Sequence, residues 1–116
     1  MARTALDEQT RLLTRNLMKV LEGFREQDGE MPVQQMLVLL WIASNEGKTQ
    51  RELIAALSMA PSTSSRNIAA LSEVHRLGKP GLGLVTWSDH PTDRRIKLLM
   101  LTPKGKAFIT RLLSDL

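Results

Sequence analysis

The chain has 116 residues, a length that suits one domain built around one hydrophobic core. Apolar residues make up 42% and charged residues 24%, which excludes an intrinsically disordered chain. The absence of cysteine excludes disulfides, thiolate metal sites and thiol-based redox sensing. The net charge of +4 is concentrated in residues 59–116, where nine Lys and Arg face four Asp and Glu. A basic half favours a surface that meets a polyanion, although mild basicity also serves solubility.

The N-terminal residues and the apolar runs indicate where in the cell the protein is located. The first residues, MARTALDEQTR, carry charge where a signal peptide needs an apolar stretch. The longest apolar run, Met36 to Ala43, is eight residues, which is far too short to span a bilayer. We therefore expect a cytoplasmic protein without a membrane partner.

The first predicted helix covers roughly Ala5 to Phe24 and carries one apolar stripe at helical spacing. A stripe this long in a small chain needs a partner surface, which a second subunit could provide. We predict that the stripe dimerises together with two apolar residues of the last helix. The predicted dimerisation residues are Leu6, Leu13, Leu17, Val20, Phe24, Phe108 and Leu112.

Three further helices follow. One begins at Pro32 and runs to about Ser44, and its nearly all-apolar surface predicts the central buried helix. Thr49 with Glu52 three residues later is typical of a capping box, which opens a helix that ends near Ser58. Pro61 opens the next helix, over 61–74. Two short helices joined by a tight turn predict a helix-turn-helix at 49–76.

The remaining segment predicts a β-hairpin and a last helix. Leu84–Trp87 and Ile96–Leu101 are short apolar stretches around a polar segment, and Thr102 before Pro103 is typical of a helix start. The fold class is therefore mainly α with a small β-hairpin, a winged helix-turn-helix in a single domain. Its parts are the N-terminal helix 1–30, the helices 31–77, the wing 83–101 and the C-terminal helix 102–116.

The helix at 61–74 presents a polar face for DNA. At 100° per residue, Ser64, Ile68 and Leu71 point to the core, whereas Ser62 and Arg66 point outward. Thr63 and Ser65 lie on the flanks, and Asn67 lies nearer the core side. Arginine can pair with a guanine edge, and asparagine with adenine if it reaches. Hydroxyl residues also favour any helix start, but the flanking elements favour insertion into a major groove.

A motif in the hairpin resembles a known family. Asp93-x-Arg95, five residues, and then Leu101-Thr102-x-x-Gly105 is similar to the wing motif of the MarR family of transcription regulators. Gly83-Leu84-Val85 is similar to the start of the family's first wing strand. Pro61 to Arg66 resembles its recognition helix, and Met31 to Leu40 its second helix.

The resemblance implies a dimeric winged helix-turn-helix on a near-palindromic operator. We expect a homodimer and a repressor, while the sequence itself leaves the sign of regulation open. It places Arg95 in the minor groove, with Asp93 bracing the wing, and Arg94 and Lys97 adding positive charge. An arginine there agrees with the strong negative potential of a narrow minor groove. The predicted DNA-binding residues are Thr49, Gln50, Ser62, Thr63, Ser65, Arg66, Asn67, Asp93, Arg94, Arg95 and Lys97.

The chain departs from the family pattern at three places. It stops at Leu116, before the family's long extra C-terminal helix, so we expect dimerisation to rest on the first helix and the helix after Thr102. Ala60 stands where a capping Ser, Thr or Asp is expected. The segment Leu77–Leu82 is an insertion between the recognition helix and the wing.

Other functions compete with this one. His75 and His90 are the only histidines, and their spacing suits neither a metal site nor a catalytic triad. We therefore expect no enzyme, no catalytic or metal-binding residues and no cofactor. A winged-helix module for protein interaction or replication that does not recognise an operator remains the alternative. A small-molecule effector is left open, because the sequence has no pocket signature.

Overall fold

The computed structural model describes residues 4–73 and 78–116, and it confirms a mainly helical winged helix-turn-helix with one hairpin. The predicted helix end at Val74, the helix-turn-helix limit at Arg76 and the insertion start at Leu77 lie outside the described residues. The elements are α1 (Glu8–Gln27), α2 (Val33–Ser44), α3 (Gln50–Leu57), α4 (Pro61–Leu71), β1 (Val85–Asp89), β2 (Lys97–Leu101) and α5 (Pro103–Leu112).

Short polar side chains set the helix starts. Thr49 Oγ1 accepts from Glu52 N at 3.2 Å and Thr102 Oγ1 accepts from Gly105 N at 2.9 Å, which confirms both predicted caps. Glu52 also lies 3.9 Å from Lys48 Nζ. Asp7 caps α1 by accepting from Thr10 N at 2.7 Å, so this helix begins three residues later than predicted. Pro32 is the cap of α2 rather than its first residue, and Ala60 makes no side-chain cap bond.

The helix α2 is the centre of the core, as its apolar surface predicted. Val38, Leu39 and Ile42 are fully buried. Side chains from the helix-turn-helix, the wing and α5 close around it and exclude water, which is the main source of stability in a domain of this size. The other buried apolar residues are Val20, Phe24, Met31, Leu53, Ile68, Leu71, Leu84, Val85, Leu99, Leu101, Phe108 and Leu112.

Four predicted dimerisation residues belong to this core, and the prediction is wrong for them. The Phe24 and Phe108 rings meet edge to face, with centroids 5.9 Å apart, and both are at most 3% exposed. Val20 and Leu112 are 5% and 7% exposed. The C-terminal half of α1 thus packs on α5 of its own subunit. A helical stripe predicts that a face is buried but does not say which chain buries it.

The wing is tied to the turn between α2 and α3. The strands β1 and β2 are antiparallel, with Val85 opposite Leu101. Leu99 extends the sheet, because its carbonyl accepts from Gly47 N at 2.9 Å and its N–H donates to Lys48 O at 2.8 Å. Glu46 Oε1 accepts from Leu101 N at 2.7 Å. These three bonds fix the base of the wing against the helix-turn-helix.

The end of α4 is also held by backbone hydrogen bonds. The helix ends at Leu71 rather than at the predicted residue 74. Gly81 N, Leu82 N and Leu84 N donate to the carbonyls of residues 73, 70 and 71 at 2.8–3.0 Å. Leu82, in the described part of the predicted insertion, and Leu84 beyond it therefore satisfy two carbonyls that the helix leaves unpaired.

Candidate nucleic-acid interface

The exposed face of α4 follows the predicted helical phase. Ser64, Ile68 and Leu71 are buried, at 0%, 2% and 0% exposure. Ser62, Ser65 and Arg66 are exposed, and Thr63 is half-buried. The Arg66 guanidinium lies over the first turn, 3.4 Å from Thr63 Oγ1. Small hydroxyl side chains and one cation therefore cover the N-terminal half of the helix, which also carries the positive end of the helix dipole.

Asn67 is corrected by the structure. Its exposure is 8%, so it lies among the buried residues of α4 and not on the surface that faces solvent. The helical phase had placed it nearer the core side, and burial leaves its amide out of reach of a base edge.

Gln50 joins α3 to α4. Its Nε2 donates to Ser64 Oγ at 2.8 Å and to Ser65 Oγ at 3.0 Å. Ser64 Oγ in turn donates to Pro61 O at 2.8 Å. The amide of Gln50 therefore bridges the first turns of the two helices. The sequence did not predict this link, because residues 14 and 15 positions apart share no local signal.

The wing tip is held by an ion pair. Arg95 Nε and a terminal guanidinium nitrogen donate to the two carboxylate oxygens of Asp93, each at 3.0 Å, and Arg95 N donates to Asp93 Oδ1 at 3.1 Å. The hydrogen bonds from the Arg95 guanidinium hold the pKa of the Asp93 carboxyl below its usual range, and the bond from the Arg95 backbone N–H lowers it further. The same pair raises the pKa of Arg95. The Arg95 side chain is nevertheless 90% exposed.

Two further contacts shape the wing. Lys97 Nζ pairs with the Asp89 carboxylate across the end of the hairpin. His90 Nδ1 accepts from Thr92 N and Asp93 N, each at 3.2 Å, so its ring closes the turn at the tip. The sequence does not predict this role of His90, because it depends on the geometry of the turn.

The predicted residues of the helix-turn-helix and the wing share two open clefts. One, of about 390 Å³, lies between α4 and the wing and includes Gln50, Ser65 and Trp87. The other, of about 470 Å³, includes Thr49, Gln50, Trp87, Arg95 and Lys97. Trp87 was predicted only as an apolar strand residue, but it is 41% exposed and lines both clefts. No local signal in the sequence marks it, because strand alternation places Trp87 on the same side of β1 as the buried Val85.

In the described part of the chain, the N-terminal half of α1 is exposed to solvent. Every residue of 8–19 is exposed except the half-buried Asn16. The predicted residues Leu6, Leu13 and Leu17 are 57%, 50% and 55% exposed. The radius of gyration is 16.6 Å, against about 13 Å for a compact domain of this length. The chain thus presents a projecting helix with an uncovered apolar stripe.

Among residues 4–73 and 78–116, no helix is both long enough and apolar enough to cross a membrane.

Comparison with known proteins gives matches of structure only. No protein-family model matches the sequence, and no curated protein matches it. The transcriptional repressor CouR, bound to a 23-mer DNA duplex, has a TM-score of 0.60 and 27% identity, over 98% of this chain and 79% of CouR. A MarR family transcription regulator has a TM-score of 0.64 and 29% identity, over 91% of this chain and 64% of that one.

A third solved structure is CouR from Rhodococcus jostii RHA1 bound to p-coumaroyl-CoA. It has a TM-score of 0.63 and 24% identity, over 91% of this chain and 68% of CouR. The fold and these matches define the class: the chain is a MarR-like winged-helix protein.

Proposed function

We propose that the chain is a sequence-specific DNA-binding transcriptional regulator. The observation that carries the proposal is the pair of open clefts that joins the helix-turn-helix to the wing: Gln50 lines both, with Ser65 of α4 in one and Arg95 in the other. Ser62 and Arg66 are also exposed on the outward side of α4. CouR, which has the same fold, is a repressor with a structure on a DNA duplex. A face of this composition suits the phosphates and base edges of double-stranded DNA.

Each part of the face suits a different groove. The major groove admits a helix, and Arg66 has the length and the donor pair that a guanine edge requires. The wing tip is a narrow loop, and Arg95 at its edge suits the minor groove, where a narrow width strengthens the negative potential. Arg94 and Lys97 add charge for the phosphates, while Asp93 orients Arg95.

The regulator acts as a homodimer. Leu13 and Leu17 of α1, and Leu6 just before it, are each at least 50% exposed, and a second copy of the chain would cover this apolar surface. Two copies joined by a twofold axis present two recognition helices, and that symmetry suits a near-palindromic operator. Bound across a promoter, such a dimer blocks transcription, which makes the protein a repressor.

Sedimentation of charge variants tests the dimer. Leu17→Glu places a carboxylate within the stripe and should shift the wild-type dimer to monomer at micromolar concentration. Arg11→Glu, on the opposite side of α1, is the control and should leave the dimer intact. A wild-type chain that sediments as a monomer, with or without DNA, would contradict the assignment.

A small-molecule effector is the second partner that we propose, because CouR binds p-coumaroyl-CoA. A cleft of about 530 Å³ between α1 and α2 has the size of a ligand site, and it includes Met18, Met31, Met36 and the cation Arg25. Methionine side chains adapt to varied apolar ligands. Thermal-shift screening of aryl carboxylates and their CoA thioesters tests the cleft, with Met36→Trp as the filled control. A ligand that stabilises both forms equally binds elsewhere.

Selection of bound sites from random duplex DNA, followed by footprinting, tests the function itself. We expect one enriched motif with twofold symmetry and half-sites about 10 base pairs apart. A chain that retains all duplexes equally is not an operator-binding regulator, and the protein-interaction module would then replace this assignment.

A further inference from the structure

Three hydroxyl-bearing or amide-bearing side chains at the α3–α4 junction form one directed hydrogen-bond chain. Gln50 Nε2 contacts Ser64 Oγ and Ser65 Oγ, and Ser64 Oγ contacts Pro61 O at 2.8 Å. The direction of each bond follows from chemistry. A carbonyl oxygen has no proton, so the contact to Pro61 O requires the proton of Ser64. Ser64 Oγ can then only accept from the side chain of Gln50.

This direction fixes the orientation of the Gln50 amide. Because Ser64 needs a donor, the NH₂ group of Gln50 faces the serines and the amide oxygen points away. The NH₂ group has two protons, one for Ser64 and one for Ser65. Because Ser64 is fully buried, water cannot take the place of the hydrogen bond from Gln50 if that bond is lost.

The consequence concerns Ser65, which is exposed on the DNA-facing side of α4. Its oxygen already accepts from Gln50, so its own proton remains for an outside partner. A serine hydroxyl ordinarily both donates and accepts, and it therefore distinguishes bases poorly. Gln50 occupies one of the two lone pairs of Ser65 and polarises its O–H group, which favours the Ser65 hydroxyl as a donor.

We propose that Gln50 is a positioning residue that turns Ser65 into a hydrogen-bond donor, and that Ser65 is thereby a specificity-determining residue for acceptor edges in the major groove. Those edges are guanine N7 and O6, adenine N7 and thymine O4, whereas cytosine presents only its N4 donor. The inference rests on the proposed function and refines it. It assigns Gln50 to the control of base preference rather than to a DNA contact of its own.

The test is site selection from random duplex DNA with the 116-residue chain and four variants. For the wild type we expect one position in each half-site that prefers an acceptor base over cytosine about threefold to tenfold, as one hydrogen bond allows. In Gln50→Met, Ser65 regains an acceptor lone pair, so that preference should fall below about twofold while the rest of the motif persists. Ser65→Ala should remove the same preference.

Two variants separate positioning from general damage. At that base position, the double variant Gln50→Met with Ser65→Ala should match Ser65→Ala alone, because Gln50 controls this preference through Ser65. The bond from Gln50 to Ser64 affects stability, which thermal unfolding measures separately. Gln34→Met, the same change at an exposed glutamine of α2, should leave the motif unaltered. Thermal unfolding of each variant accompanies the selection.

The outcomes are distinct. If the wild type enriches no motif, the proposed function fails and the inference falls with it. If the wild type enriches a motif that Gln50→Met leaves unchanged, the inference alone is overturned. A uniform loss of affinity in Ser65→Ala with an unchanged motif would show that Ser65 meets a phosphate, which also overturns it. Loss of preference at one shared position in both single variants supports it.

Discussion

The recognition helix and the wing hold their polar groups in opposite ways. In α4, the outward-facing side chains lie next to a buried anchor, since Ser64 is 0% exposed and bonded to both Gln50 and Pro61. In the wing, the Asp93–Arg95 and Asp89–Lys97 pairs lie in solvent, and the Arg95 side chain is 90% exposed. Both surfaces are basic, but only one of them has a fixed geometry.

This difference indicates that the two surfaces have different roles in the proposed DNA binding. Buried hydrogen bonds keep a donor or an acceptor in place, and a fixed pattern of donors and acceptors is what base readout requires. Exposed ion pairs contribute little to stability and exchange partners readily. In the proposed complex, Asp93 can therefore hold the Arg95 guanidinium until a DNA phosphate, or the negative potential of a minor groove, attracts it away.

The positions of both surfaces depend on one contact, the close packing of α5 against the base of the wing. A Cβ added at Gly105 would lie 2.0 Å from Leu84 O, a backbone atom that cannot move aside. Gly105→Ala should therefore lower the free energy of unfolding by at least ~2 kcal/mol and weaken both surfaces together. Gly29→Ala is the control, because a Cβ there meets nothing within 4 Å. Equal unfolding free energies for the two variants in urea would refute this account of the contact.

On the helix side, Arg66→Ala should weaken binding to the selected operator by about 1–3 kcal/mol, the value of a bidentate base contact. Random duplex should lose much less affinity, and the Tm should stay unchanged because Arg66 is exposed. Titration of both duplexes by fluorescence anisotropy measures this, with Arg15→Ala in α1 as the control. A collapsed Tm would mean that Arg66 is structural.

On the wing side, two hypotheses differ for Arg95→Lys. If Arg95 supplies only charge, lysine should replace it without loss. If Arg95 enters a narrow minor groove, lysine should weaken operator binding several-fold and random-duplex binding much less, because its ammonium is costlier to dehydrate. Arg95→Ala should weaken both and lower the salt slope by about one unit if a phosphate contact is also lost. Equal losses on both duplexes for Arg95→Lys would assign the wing to charge alone.

The smallest expected effect is that of the Asp93–Arg95 pair on the pKa of the Asp93 carboxyl. The Arg95 bonds lower the folded pKa of Asp93, so the pair forms at neutral pH and is lost only as pH falls through a pKa below the ordinary value of an aspartate. An NMR titration of the Asp93 carboxyl carbon should give a midpoint below that value in the wild type and nearer to it in Arg95→Ala. Identical midpoints would show that the pair does not persist in solution.

Asp93→Asn should mildly weaken operator binding by loosening the wing.

Local signals in the sequence predicted most of the fold. Thr49 and Thr102 marked helix starts, and the helical phase of α4 separated buried Ser64 and Ile68 from exposed Arg66. The predicted strands agree with β1 and β2 to within two residues at every end.

Long-range contacts were beyond such reasoning. The bond from Leu101 N to Glu46 spans 55 residues, and no periodicity or cap announces it. The apolar spacing of α1 likewise could not separate Phe24, which packs on Phe108 of the same chain, from Leu13 and Leu17, which stay exposed. Both depend on how elements dock after they form.

The central claim is that α4 and the wing tip, and not α1, face DNA. Because the chain has no native cysteine, a DNA-cleaving iron chelate can be attached at one chosen site. Ser62→Cys in α4, Thr92→Cys at the wing tip and Thr14→Cys in α1 give three probes on the selected operator. We predict strong cleavage from the α4 probe within each half-site, cleavage from the wing probe at a separate symmetric position, and none from the α1 probe. Cleavage from the α1 probe, or none from the α4 probe on DNA that the protein demonstrably binds, would contradict the account.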